Sequence, residues 1–167
     1  PGSVPNAFTY TLNEGTLADN YTIKTVEGTL TVSKVTTQIV ITAASDSRMY
    51  NGEPLTNSGY TYTENVLAEG DVLTAVVEGT ITNAGTAANV VKSYKVMRGE
   101  TDVTGNYTFG ESVDGTLEVT KRTVTLTSGD GGKVYDGTAL TNSTVTVSGD
   151  GFVSGEGATY DVTGTIT

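Results

Sequence analysis

Short runs in which apolar residues alternate with threonine, serine or lysine recur along the chain, and most are closed by glycine, asparagine or aspartate. Residues 37–43 (TQIVITA) and 122–128 (RTVTLTS) carry the pattern, as do 59–65 (GYTYTEN) and 143–149 (STVTVSG). A period of two sends every second side chain to one face, which is the mark of a half-buried strand. Residues 90–97, 106–112 and 115–121, with their counterparts near the N-terminus, bring the expectation to six or seven strands per unit. Residues 67–73 (LAEGDVL) predict one short helical turn capped by Asp71, too short to stand as an independent helix. The reading is all-β, in short strands joined by tight turns.

The pattern also repeats. YNGEPLTNS from Tyr50 matches YDGTALTNS from Tyr135, 85 positions on, and GTIT at Gly79 matches GTIT at Gly164 at the same distance. NYTIKTVEGTLTVSK (20–34) matches NYTFGESVDGTLEVTK (106–121) at a shift of 86 to 87. A period of this length points to stacked modules. The chain reads as two repeats' worth of sequence cut out of phase, an excised piece of an array. Two divisions follow. Either two small antiparallel β modules stand in tandem, 1–83 and 84–167, parted in the polar loop TNAGTAAN (82–89), or a half repeat (1–34) precedes a whole repeat (35–121) and a second half repeat (122–167). An elongated arrangement is expected, with immunoglobulin-like sandwich modules or, alternatively, β-grasp-like ones, since strand order leaves no trace in the pattern.

Within the unit, Asn51-Gly52 and Asp136-Gly137 are turn dipeptides: the Asx side chain bonds its own backbone and glycine accepts positive φ. Tyr50 and Tyr135 precede these turns, where a ring packs under the loop and its hydroxyl reaches a backbone carbonyl. The exchange of Asp for Asn between copies speaks against acid chemistry there. The strand residues expected to build the structure are Ile39, Ile41, Val124, Leu126, Leu30, Val32, Leu117 and Val119.

KVYDGTALTNS (133–143) resembles the signature of YDG-type repeats of bacterial surface proteins. NYTI…VEGTLTVSK is similar to the closing strands of these and the related MBG-type repeats, and all four half-units fit the resemblance. It implies an adhesin-like protein, secreted or held at the cell surface or cell wall of a bacterium, in which many β modules stand in tandem. It implies no catalytic residues. The middle copy departs from the pattern at Asn51 and at Arg48-Met49.

Composition narrows the function classes. With 33 Thr, 21 Gly, no Trp and only 3 Phe, the chain favours small cores and strands over helices. A net charge of -10 repels nucleic acid and anionic lipid, so neither is an expected partner. Absence of cysteine excludes disulfides and thiolate chemistry, and absence of histidine removes the commonest general base and transition-metal ligand. No apolar run has the roughly 20 residues that span a bilayer, and no cofactor is expected.

The remaining motifs read as structure. SGDGG (128–132) and SGDGF (148–152) offer one carboxylate each, too few for a calcium loop. Glu69, Asp71, Glu78, Asp102, Glu111 and Asp114 sit in no motif that pairs an acid with a base. Sequons at Asn20, Asn106 and Asn142 recur with the strands, and Lys34 and Lys121 close the units rather than marking isopeptide bonds. Catalytic, cofactor and metal residues are therefore none.

Three functional expectations remain. The first is a stalk or spacer whose partners are neighbouring modules. The second is a carbohydrate- or mucin-binding module for a host glycan, with Tyr60, Tyr62 and Tyr94 as a stacking face. The third is strand complementation, in which the N-terminal half repeat completes the C-terminal half repeat of another copy in a head-to-tail assembly.

Overall fold

The computed structural model describes every residue from Pro1 to Thr167. The chain is all-β, and its only helical residues are two 3-10 turns, Ala18–Asn20 and Thr104–Asn106. Near the N-terminus β1 (Gly2–Asn6) pairs antiparallel with β2 (Gly28–Val32). Residues 35–121 then hold β3 (Gln38–Ile39), β4 (Ile41–Ala43), β5 (Asp46–Met49), β6 (Tyr60–Tyr62), β7 (Asp71–Glu78), β8 (Gly85–Arg98), β9 (Thr101–Asp102), β10 (Thr108–Phe109) and β11 (Gly115–Thr120). Four strands follow: β12 (Val124–Ser128), β13 (Leu140–Thr141), β14 (Val145–Gly149) and β15 (Thr165–Ile166).

The largest sheet has the order β5-β11-β8-β7, with β9 against the end of β8. Smaller pairs complete the fold: β3 with β10, β4 with β6, β12 with β14, and β13 with β15. The expectation of purely antiparallel modules is corrected at two places, because β11 runs parallel to β5 and β10 parallel to β3. Both parallel pairs join residues before 50 to residues after 107, a closure that adjacent hairpins cannot make.

Alternation builds the core. In β11, Gly115, Leu117 and Val119 are buried while Thr116, Glu118 and Thr120 are exposed. In β7, Leu73 and Val77 are buried with Ala75 half-buried between them. Ile39 and Ile41 meet Leu73, Val96 and Tyr107 in one cluster, and Leu55 meets Leu117 and Val119 in a second. All twelve buried residues lie between Ile39 and Val119. Of the eight strand residues expected to build the structure, Ile39, Ile41, Leu117 and Val119 are buried, Val124 is half-buried, and Leu30, Val32 and Leu126 are exposed. A boundary at 83/84 would part β7 from β8 and β5 from β11; the limits 35–121 enclose every buried residue.

Local departures from regular strand have identifiable causes. Residues 37–43 form two strands because Val40 turns its N–H to the Thr63 hydroxyl at 3.0 Å and accepts the Thr63 N–H on its carbonyl. β8 carries one extra residue opposite Val76 and Val77, a bulge that lets this long strand serve both β7 and β11. The helical turn expected at 67–73 is absent. There the Asp71 N–H closes a turn on the Ala68 carbonyl at 3.0 Å, and Gly70 takes φ +82, which a helix excludes. Asp71 instead opens β7, whose alternation of Leu73, Ala75 and Val77 was the stronger signal.

Candidate functional site

The two Tyr-Asx-Gly stretches fold the same way. Asn51 Oδ1 accepts the Glu53 N–H at 3.0 Å over Gly52 at φ +85, and Asp136 Oδ1 accepts the Thr138 N–H at 2.9 Å over Gly137 at φ +77. A basic residue two positions before each tyrosine secures the turn. Arg48 donates to the Glu53 carbonyl, and Lys133 donates to the Thr138 carbonyl at 2.7 Å while pairing with Asp136 at 2.6 Å. The Lys133 hydrogen bond, with those from Thr138, holds the Asp136 carboxyl below its ordinary pKa. Sequence reading treated Arg48 as a departure from the pattern, although its alignment with Lys133 was visible.

The tyrosines themselves differ. Tyr50 packs on the Leu55, Leu117 and Val119 cluster, whereas Tyr135 is 82% exposed. The expectation that the hydroxyl reaches a backbone carbonyl is corrected: Tyr50 donates to the Glu156 carboxylate at 2.5 Å. That acceptor holds the phenol protonated and raises its pKa above the ordinary 10.0.

Tyr50 thereby belongs to a joint between residues 35–121 and the segment that follows. Arg122 Nη1 donates to the Tyr50 carbonyl at 3.2 Å, its Nε to the Gly151 carbonyl at 2.7 Å, and its Nη2 to the Asp150 carbonyl. Asp150 closes the arrangement by accepting the Thr123 N–H at 2.7 Å and returning its own N–H to the Thr123 carbonyl at 2.8 Å. Val153 approaches Gly52 closely enough that a β-carbon there would lie 3.3 Å from it. A cleft of about 300 Å³ opens beside the joint, between Asn83, Lys121, Val124 and Phe152. Three backbone carbonyls captured by one guanidinium form a positioning device with no group placed for reaction.

The tyrosine face is divided. Tyr60 and Tyr62 lie opposite Ala43 and Ile41 and pack against the first core cluster, half-buried, with the Tyr60 hydroxyl 3.3 Å from the Leu73 carbonyl. Tyr94 stands on β8 and stacks on Phe109 with ring centroids 4.3 Å apart. It is not among the residues packed on that cluster.

Among the weighed carboxylates, Asp71 is the buried one. Its side chain is 2% exposed, 2.6 Å from Arg98 Nε, and it also accepts the Tyr107 hydroxyl, which in turn accepts the Ala68 N–H at 2.9 Å. The Arg98 hydrogen bond, then that from Tyr107, lowers the Asp71 pKa; desolvation, then the bond to Asp71, raises that of Tyr107. This is a fully partnered brace between β7, β8 and the turn before β10. No three acidic side chains converge anywhere in the chain. Comparison with protein-family models, with curated proteins and with solved structures matches none of them.

Proposed function

We propose that this chain is an extracellular repeat segment serving as a stalk or spacer of an adhesin-like protein on a bacterial surface. The observation that carries this reading is the joint at Arg122. Only residues 121–123 separate β11 from β12, and they are fastened on both sides, so one unit passes its orientation to the next. Repeat arrays in which each unit touches mainly its neighbours gain length by copy number. A net charge of -10 keeps such a rod soluble and apart from its copies.

In this reading residues 35–121 are a sandwich module of immunoglobulin-like kind: β3 and β4 supply Ile39 and Ile41 from one side, and β7 and β8 supply Leu73 and Val96 from the other. A β-grasp sheet needs a helix to pack on, and the unit has only the Thr104–Asn106 turn. The glycan-binding reading draws less support, because Tyr60 and Tyr62 spend much of their ring surface on the core and Tyr94 stands elsewhere.

The test pairs the intact chain with a panel of mucins and host glycans, with Tyr94→Ala alongside. A spacer shows no saturable binding to any member. Saturable binding that Tyr94→Ala abolishes in a folded protein would overturn the spacer reading in favour of adhesion.

A further inference from the structure

We propose that Asn51 is a site of self-modification: its side chain closes on the Gly52 nitrogen to a cyclic imide, which water reopens to an aspartyl or an isoaspartyl residue beside the joint at Arg122. The inference stands apart from the spacer reading. It rests on the chemistry of one turn and on the turns that share its geometry.

Asn51-Gly52 is the one asparagine-glycine step in the chain. Both residues are exposed, and the Gly52 N–H donates to no other group of the protein. The Asn51 side chain accepts the N–H two residues on, so its amide lies over the Gly52 peptide and brings Cγ toward the Gly52 nitrogen. The Glu53 N–H that holds Oδ1 at 3.0 Å also polarises this carbonyl, and it is already placed for the oxyanion that forms when the nitrogen adds. Glycine leaves the attacking nitrogen unshielded by a β-carbon, and only glycine accepts its φ of +85 without strain.

The reaction needs only water and its hydroxide ion. Hydroxide removes the Gly52 N–H proton, the nitrogen forms a bond to Asn51 Cγ, and the Cγ–Nδ2 bond breaks as the amide nitrogen takes a proton and leaves as ammonia. Water then adds to the imide. Opening at Cγ gives aspartate on an unchanged backbone. Opening at the main-chain carbonyl carbon of residue 51 leaves the chain running through Cβ and Cγ, one atom longer. Either product has lost ammonia and gained water, a net gain of about 1 Da.

Two other asparagines make the same turn and supply the contrast. Asn57 Oδ1 accepts the Gly59 N–H at 2.8 Å, and Asn142 Oδ1 accepts the Thr144 N–H at 3.0 Å. A serine follows each, and its side chain crowds the attacking nitrogen. The amide nitrogen that would leave is also engaged, Asn57 Nδ2 with Asp46 at 3.4 Å and Asn142 Nδ2 with the Asp130 carbonyl at 2.7 Å. Asn51 Nδ2 has no such partner.

The equivalent turn shows how the fold holds the aspartyl product. There Asp136 accepts the Thr138 N–H and pairs with Lys133 at 2.6 Å, which keeps it ionised and a poor acyl donor. The counterpart of Lys133 is Arg48, which donates to the Glu53 carbonyl and whose Nε is buried without a partner. An aspartate at position 51 faces that guanidinium, so this product keeps the turn. The isoaspartyl product does not. Its extra backbone atom falls between Tyr50, whose carbonyl Arg122 holds at 3.2 Å, and Gly52, which lies against Val153.

The test incubates the intact chain at mildly acid and at mildly alkaline pH, folded and in urea, and maps the products by mass spectrometry. Cleavage after Glu27 and Glu53 releases residues 28–53, in which Asn51 is the single asparagine. In the folded chain that peptide is expected to gain about 1 Da, roughly tenfold or more faster than Asn57 or Asn142 converts, no slower than in urea, and faster at the alkaline pH. Isoaspartyl methyltransferase labels part of it. Asn51→Asp gains no mass and keeps the slow amide exchange of Thr123 and Asp150, whereas the isoaspartyl fraction loses it. A folded chain in which Asn51 stays intact or converts more slowly than in urea, equal conversion at Asn57 and Asn142, or an isoaspartyl fraction with unchanged exchange at Thr123 would each overturn the proposal.

Discussion

Leu117 and Leu30 stand in nearly the same sequence, GTLEV and GTLTV, yet one is sealed in a core and the other lies open to water. The difference is not in the strand but in what faces it. In the central unit β11 has β8 on one side and β5 on the other, with Leu55 above its apolar face. At the N-terminus β2 has β1 alone, and two strands bury too little apolar surface to make an independent core. Alternation and turn chemistry therefore decide which pairs form within a half, and burial is decided by the presence of the other half.

The sharpest way to break this comparison is to truncate both leucines. In dilute solution Leu117→Ala is expected to cost about 2–5 kcal/mol by urea unfolding. Leu30→Ala is expected to fall within roughly 0.5 kcal/mol of wild type. Equal costs would mean that residues 1–34 share the core. Next in size is the glycine pair. Gly115→Ala forces a β-carbon against the Ala44 carbonyl and is expected to cost about 1–3 kcal/mol or more. Gly28→Ala meets only the Asn6 Cβ at 3.8 Å and is expected to leave dilute-solution stability unchanged.

A smaller effect is expected from Asp71, which holds both Arg98 and Tyr107 where its counterpart Glu156 holds the Tyr50 hydroxyl. Its folded-state pKa lies below the ordinary 3.8, chiefly through Arg98 and then Tyr107. Its contribution is therefore complete above that value and lost as pH falls through the lower folded one, where the unfolded chain binds the extra proton. Asp102, lowered by Thr104, adds a loss of the same sign. Asp71→Asn is thus expected to lower stability at neutral pH and to flatten, without abolishing, the acid limb of an unfolding-against-pH curve. An unchanged acid limb would remove Asp71 from the brace. The smallest effect belongs to the joint. Tyr50→Phe is expected to speed amide exchange at Thr123 and Asp150 while leaving the unfolding of the central unit in place, because the lost bond lies between segments.

Much of this was legible in the chain. The alternation in residues 37–43, 59–65 and 115–121 placed β3, β4, β6 and β11, and the 85-residue echo located the half-units. β7 was missed because Glu69-Gly70-Asp71 resembles a helix cap, and the three apolar positions that alternate beyond it were not weighed. β5, with the sequence DSRM, has no apolar period; it is a strand because β11 lies beside it. The partner of Tyr50 is 106 positions away, and no local pattern carries a contact of that range. The tyrosine spacing correctly put Tyr60 and Tyr62 on one side of a strand, but a period of two cannot tell a core face from a binding face.

Hydrogen exchange along the intact chain tests the central claim most directly. Slow-exchanging amides should be confined to the strands between Gln38 and Thr120. Amides of 1–34 and 122–167 that are as slow as those of β8 and β11 in dilute solution would contradict the account, because the flanking halves would then hold cores of their own.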